Sequence, residues 1–152
     1  MLVRCLILVI FFIFSCYAGA QNLVPNGNFE QVSILPDNYG QSNRAIGWNN
    51  VNLNYSGPPF GSPDYYHAAS PLPNNRFGAI NPFDGSGQMG FATYKSNYSD
   101  FREYISTQLS IPLEAGKHYK VTFSLSNGSG GLYKFWSNNI GFHFSKYPLY
   151  QY

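Results

Sequence analysis

Few side chains in this sequence carry the charge or reactivity that chemistry needs, so each can be weighed. Asp100, Arg102 and Glu103 share one short stretch, SDFREY. Two carboxylates facing each other across a cleft would suit glycoside hydrolysis. In an extended chain, however, residues three apart point to opposite faces. Asp100 and Glu103 are therefore read as part of a local ion pair with Arg102, or as surface charge near a strand start. His67, His118 and His143 are the three imidazoles, and they show no H-x-H or H-E-x-x-H spacing. His118 and His143 fall on the polar phase of their segments and are expected to face solvent. Serine is abundant, but no G-x-S-x-G elbow occurs. These residues point away from an enzyme.

Aromatic side chains are the stronger candidates. Trp48, Tyr55, Tyr65, Tyr66, Tyr133 and Trp136 lie in or beside loop-forming sequence. Sugar rings present apolar C–H faces that stack on flat rings, while Asn and Asp reach the hydroxyls. Loops on a rigid scaffold are where such sites sit. Tyr55, Tyr66, Tyr133 and Trp136 are therefore named as ligand-facing, with a glycan as the ligand class. Trp48 is read as core, because Trp is highly buried on average.

The N-terminus indicates where such a molecule would act. Residues 1–20 read MLVRCLILVIFFIFSCYAGA. Arg4 supplies a positive start, Leu6 to Phe14 an unbroken apolar run, and Ala18-Gly19-Ala20 a small-residue cleavage site. This is the pattern of a secretory signal peptide cut after Ala20, which leaves residues 21–152 as one exported domain. A spanning helix needs about 20 apolar residues, and this run stops at Ser15. A lipid anchor on Cys16 is the other alternative, but Phe14 is bulky for that cleavage box. Cys5 and Cys16 both lie in the signal, so residues 21–152 contain no cysteine. Disulfides and thiolate zinc are thereby excluded from the exported part.

Removing Arg4 takes the formal net charge from +2 to +1. No basic stripe marks a nucleic-acid partner, and residues 21–152 hold no run long enough for a transmembrane helix. Aromatics are 18% of the chain against 11% charged residues, which gives a core ample material and argues against disorder. N-x-S sequons at Asn54, Asn97 and Asn127 would matter only in a eukaryotic secretory pathway.

The elements that must hold these residues read as strands. Gly and Pro interrupt nearly every window that could be helical. In HYKVTFSLS, Tyr119, Val121, Phe123 and Leu125 alternate with polar residues. In NIGFHFS, Ile140, Phe142 and Phe144 do the same. QMGFATY (88–94) and REYISTQLSI (102–111) are further strand candidates, and PLEAGK joins the second to HYKVTFSLS by a hairpin turn at Gly116. From Gly57 to Gly87, six prolines leave only Asp64–His67 and Phe77–Ile80 able to pair. Residues 126–131, SNGSGG, form a loop. Short strands with Gly/Pro turns predict an all-β, antiparallel β-sandwich of jelly-roll type.

Several segments in order carry a resemblance: NLVPNGNFE (22–30), AIGW (45–48), SPDYYHA (62–68), PNNRFG (73–78), FREYISTQLSIPLEAGKHYKVTFSLS (101–126) and NNIGFHFS (138–145). Together they resemble a galactose-binding-like β-sandwich module of exported bacterial surface proteins. That module often precedes an OmpA-like or a sorting domain. The family continues into further strands that end on an acidic one, whereas here no Asp or Glu follows Glu114. The resemblance therefore implies a sandwich lacking its C-terminal strands, with unpaired edges and poor solubility. It also implies a structural calcium at Glu30, with carbonyls from Asn26, Gly27 and Asn28, since calcium takes six to eight oxygens. The family's late Asp ligand is missing. The alternative is an exposed strand-end carboxylate with Asn26 and Asn28 as turn formers.

The expected function is a non-catalytic, exported surface module that binds glycans or other cell-envelope components. A structural spacer or assembly domain with no small ligand is the alternative. A glycoside hydrolase is a more distant third.

Overall fold

The computed structural model describes residues 21–54, 61–70, 81–98, 101–126 and 140–149. Residues 1–20, read above as a signal peptide, lie outside the described residues, as do Tyr55, Asp100, Tyr133, Trp136 and Phe77–Ile80, expected above to pair. What is described is all-β. Four strands, β1 (Trp48–Asn50), β2 (Asp64–His67), β3 (Gly87–Gly90) and β4 (Ile105–Thr107), are accompanied by two 3-10 turns at Ser42–Arg44 and Val51–Asn54. There is no α-helix among the described residues, and none of their helices is long and apolar enough to cross a membrane.

Two antiparallel pairs make up the sheet structure. β1 lies on β4 with Trp48 opposite Thr107 and Asn50 opposite Ile105. The pairing continues one step further through Val51 N–H to the Tyr104 carbonyl, 3.3 Å. β2 lies on β3 with Asp64 opposite Gly90 and His67 opposite Gly87. Ala68 N–H extends that ladder to the Ser86 carbonyl, 2.9 Å. A further bridge joins Val32 to Ala45, flanked by Ile46 N–H to Gln31 and Ser33 N–H to Arg44.

Local sequence explains the second pair. DYYH is aromatic-rich and starts after Pro63, a fully buried residue whose carbonyl accepts the Ser42 amide at 3.2 Å. Proline cannot continue a ladder as a donor, so it marks the strand's first edge. Tyr65 is completely buried and Tyr66 nearly so. On the other side of this pair, Gly87 allows an approach that no side chain would tolerate. A Cβ there would run into the Phe29 carbonyl and stand 3.0 Å from the Tyr65 hydroxyl oxygen.

The interior is only partly apolar. Ala45, Val51, Tyr65, Tyr66 and Phe101 are buried, but so are Ser42, Asn50, Asn52 and Asp64. Buried polar groups destabilise unless they are hydrogen-bonded, and here the amides are bonded. Asn52 Nδ2 donates to the Arg102 carbonyl at 3.0 Å, and its Oδ1 accepts the Tyr104 amide at 2.9 Å. Asn50 Oδ1 accepts the Asn52 amide at 2.9 Å while its Nδ2 donates to the Gly61 carbonyl at 3.2 Å. Two asparagines thus stitch β1, the following turn and the approach to β4 into one network.

Two expected strands are not strands. Residues 117–126 and 140–147 form no ladder among the described residues, and Tyr119, Val121, Phe123, Leu125, Phe142 and Phe144 are exposed. The rings still gather: Phe123 meets Phe142 edge-on at 6.4 Å between centroids, and Phe142 meets Phe144 at 5.4 Å. Alternation specifies which side chains share a face. It does not supply the neighbouring chain whose amides and carbonyls would make the segment a strand. The QMGFATY and REYISTQLSI segments do contribute strands, but shorter ones, as β3 and β4.

Candidate functional site

Glu30 follows a tight turn built by Asn26. Asn26 takes a left-handed φ of 48°, which Asn tolerates better than most residues. Its side chain then satisfies three backbone groups. Nδ2 donates to the carbonyls of Gln31 and Ile46, both at 2.9 Å, and Oδ1 accepts the Gln31 amide at 2.9 Å. Its own carbonyl accepts the Phe29 amide at 3.0 Å and the Trp48 indole N–H at 2.9 Å. Phe29 also has a positive φ, 62°, and its ring packs on Trp48 at 5.0 Å. Trp48 is half-buried rather than deep in the core.

This turn aims Glu30 at the loop that enters β3. Glu30 Oε1 accepts the amides of Ser86 and Gly87, each at 2.6 Å. Gly85 completes the cradle with a φ of +68°, and a Cβ on it would collide with the carboxylate. The two amides, joined by the charge of His67, hold the Glu30 carboxyl below the ordinary range, against a smaller opposing effect of burial. One residue earlier, the Phe29 carbonyl accepts the Tyr65 hydroxyl at 2.6 Å. Burial and the nearby Glu30 charge push the Tyr65 phenol up to about 12. Glu30 and Phe29 thus clamp the N-terminal turn onto the β2–β3 pair.

Glu103 does the same work at the opposite end of the β2–β3 pair. Its Oε1 accepts the Ser62 amide at 2.8 Å and its Oε2 accepts the Ala92 amide at 2.6 Å. Ala92 and Glu103 also bond through the Glu103 amide, at 3.0 Å. Burial raises the Glu103 carboxyl above its ordinary value, reinforced by the charge of Asp64. The two amides and Lys95 oppose that rise. Arg102 is exposed, and its Nη1 donates to the Phe101 carbonyl at 2.6 Å. Glu103 is therefore neither a surface charge nor half of an ion pair with Arg102. It is a mostly buried acceptor that ties the chain before β2 to the chain after β3.

Tyr66, expected to face a ligand from a loop, is buried in β2. Its hydroxyl donates to Asp64 Oδ2 at 2.9 Å. Burial and the Asp64 charge raise its phenol far above the ordinary value. Adjacent strand residues point to opposite faces, and both faces of β2 are covered: the Tyr65 hydroxyl reaches the Phe29 carbonyl, and the Tyr66 ring packs beside Gly90. Asn28, the other expected oxygen donor beside Glu30, is exposed. Among the described residues, no three His, Cys, Asp or Glu side chains gather where they could hold a metal ion.

An open groove of about 460 Å³ lies elsewhere, at the far end of β4. Asn49, Thr107, Gln108 and Ser110 give it polar edges, and Pro25 and Leu109 give it apolar ones. Thr107 Oγ1 is closed to water and has no hydrogen-bond partner among the described residues. None of these residues stood out in the sequence, because STQLS has no motif spacing and its polar character reads as ordinary surface. Only the pairing of β1 with β4 brings Asn49 beside it.

No family model, curated protein or solved structure matches this chain.

Proposed function

We propose that this chain is an exported, non-catalytic surface module, a galactose-binding-like sandwich of jelly-roll type whose ligand is a glycan. In this reading the signal is cut after Ala20, and the domain from Gln21 onward acts at the cell surface or outside it. One observation carries the non-catalytic part. Both oxygens of Glu103 already accept backbone amides, from Ser62 and Ala92. A carboxylate so held positions loops; a general acid or nucleophile needs an oxygen directed at substrate. Glu30 is assigned, through Oε1, to its backbone clamp on Ser86 and Gly87 rather than to a structural calcium.

The ligand class rests on chemistry that suits hydroxyl-rich rings. Tyr133 and Trp136 follow the glycine-rich 126–131 sequence, and aromatic rings of their kind suit stacking on sugar faces. The groove beyond β4 offers amide and hydroxyl groups beside apolar carbon. A glycan array probed with the exported chain tests this. Binding to a defined set of glycans that disappears in Tyr133→Ala or Trp136→Ala is the expected result; no binding to any glycan rejects it.

A second reading has its own support. Phe123, Phe142 and Phe144 are exposed and their rings meet, and contiguous exposed apolar surface marks interaction sites. A domain whose task is assembly within the cell envelope would present such a face and need no small ligand.

A further inference from the structure

Gln21, which directly follows the expected cleavage after Ala20, lies exposed ahead of the Asn26 turn. Among the described residues Gln21 makes no hydrogen bond, and it is exposed, as is Asn22. The chain is first tied down just after it. Asn22 Oδ1 accepts the Val24 amide at 3.0 Å, and the Leu23 carbonyl accepts the Ser110 amide at 2.9 Å. Gln21 is therefore an exposed residue just ahead of an anchored turn, and among the described residues nothing holds its side-chain amide away from its own nitrogen.

We propose that Gln21 is a modification site, cyclised to pyroglutamate once the bond after Ala20 is cut. The proposal rests on the export reading above, because cleavage there is what turns the Gln21 backbone nitrogen into a free amine. In the cyclisation that nitrogen attacks the side-chain Cδ. The N–Cδ bond forms, the Cδ–Nε2 bond breaks, and Nε2 leaves as ammonia after taking a proton from the amine. A five-membered lactam results, and the step needs no oxidant, reductant or second substrate. A cyclase would only accelerate it.

Two features of the chain fit this end product. The amine is lost together with its positive charge at a terminus that has no acidic partner among the described residues. The lactam also shields an exposed two-residue tip from aminopeptidases, which matters for a domain that works outside the cell. The clamp at Glu30 lies beyond the tip and is left intact.

Mass spectrometry of the N-terminal peptide of the freshly exported full chain tests the site. No Lys or Arg lies between Gln21 and Arg44, so trypsin releases that terminus as a single peptide ending at Arg44. The expected peptide starts at position 21, is lighter by one ammonia than the uncyclised form, and resists Edman degradation until a pyroglutamyl peptidase removes its first residue. A Gln21→Asn variant, whose shorter side chain cannot close the five-membered lactam, should keep its ammonia and an open terminus. A terminus at position 21 with a free glutamine amine overturns the proposal and leaves the export reading standing. A terminus at any other residue overturns the predicted cleavage site and the proposal with it.

Discussion

At the scale of single residues, two glutamates hold similar positions with opposite pH behaviour. Glu30 has a folded-state pKa below its ordinary value, set by the Ser86 and Gly87 amides. Its stabilising effect is present above the ordinary carboxylate range and is lost as pH falls through the folded value. Glu103 has a raised pKa because burial disfavours its charge. Between the ordinary value and the raised one, the folded chain holds a proton that the unfolded chain has released, so stability falls as pH rises across that window. Urea midpoints measured from acid to neutral pH should separate the two. Glu30→Gln should flatten the loss of stability on the acid side. Glu103→Gln should remove the fall in the higher window. It should also destabilise the fold by about 1–3 kcal/mol, because an amide NH2 then faces one of two backbone donors. Identical pH profiles for the two variants would contradict the roles assigned here. The carboxylates themselves were legible in the sequence. Their partners were not, because backbone amides carry no sequence signature and Ser62, Ser86, Gly87 and Ala92 are distant along the chain.

At the scale of elements, the contact between the N-terminal turn and β3 depends on a missing side chain. A Cβ on Gly87 would meet the Phe29 carbonyl and crowd the Tyr65 hydroxyl that bonds to it. Gly141 has open space around its Cβ position. Thermal unfolding should therefore show Gly87→Ala destabilised by about 1–3 kcal/mol, as overpacking does, while Gly141→Ala stays within about 0.5 kcal/mol of the parent. Equal effects would mean that the turn does not press on β3. Element recognition from sequence succeeded where a segment both suits a strand and finds a partner. DYYH, bounded by Pro63, became β2, and the centre of REYISTQLSI became β4. β1 was missed because WNN has no alternation and is held by asparagine bonds and by the Trp48 indole instead. HYKVTFSLS and NIGFHFS had the cleanest alternation of all and yet form no ladder, since a period of two sets faces and not partners.

At the scale of the whole molecule, the balance of buried and exposed groups is unusual. Asparagines and carboxylates occupy interior positions, while Phe123, Leu125, Phe142 and Phe144 face outward. Burying such a face removes apolar area from water at roughly 25 cal/mol per Å², a constant drive toward association. Sedimentation velocity should show residues 21–152 self-associating as concentration rises, and Phe123→Ser combined with Phe142→Ser should shift them toward monomer. A parent chain that stays monomeric at every concentration would remove the support for the assembly reading. Sequence composition had indicated an aromatic, β-rich, cysteine-free exported domain. It could not show that the polar residues best suited to chemistry are engaged in holding loops together.

The central claim is that this chain binds glycans without cleaving them, and that Glu103 is architectural. The most direct measurement incubates residues 21–152 and their Glu103→Gln variant with array-selected glycans and follows bound and cleaved sugar in the same assay. Binding by the parent, no cleavage by either protein, and binding by the variant at temperatures below its unfolding transition are the expected results. Cleavage by the parent that disappears in folded Glu103→Gln would contradict the claim.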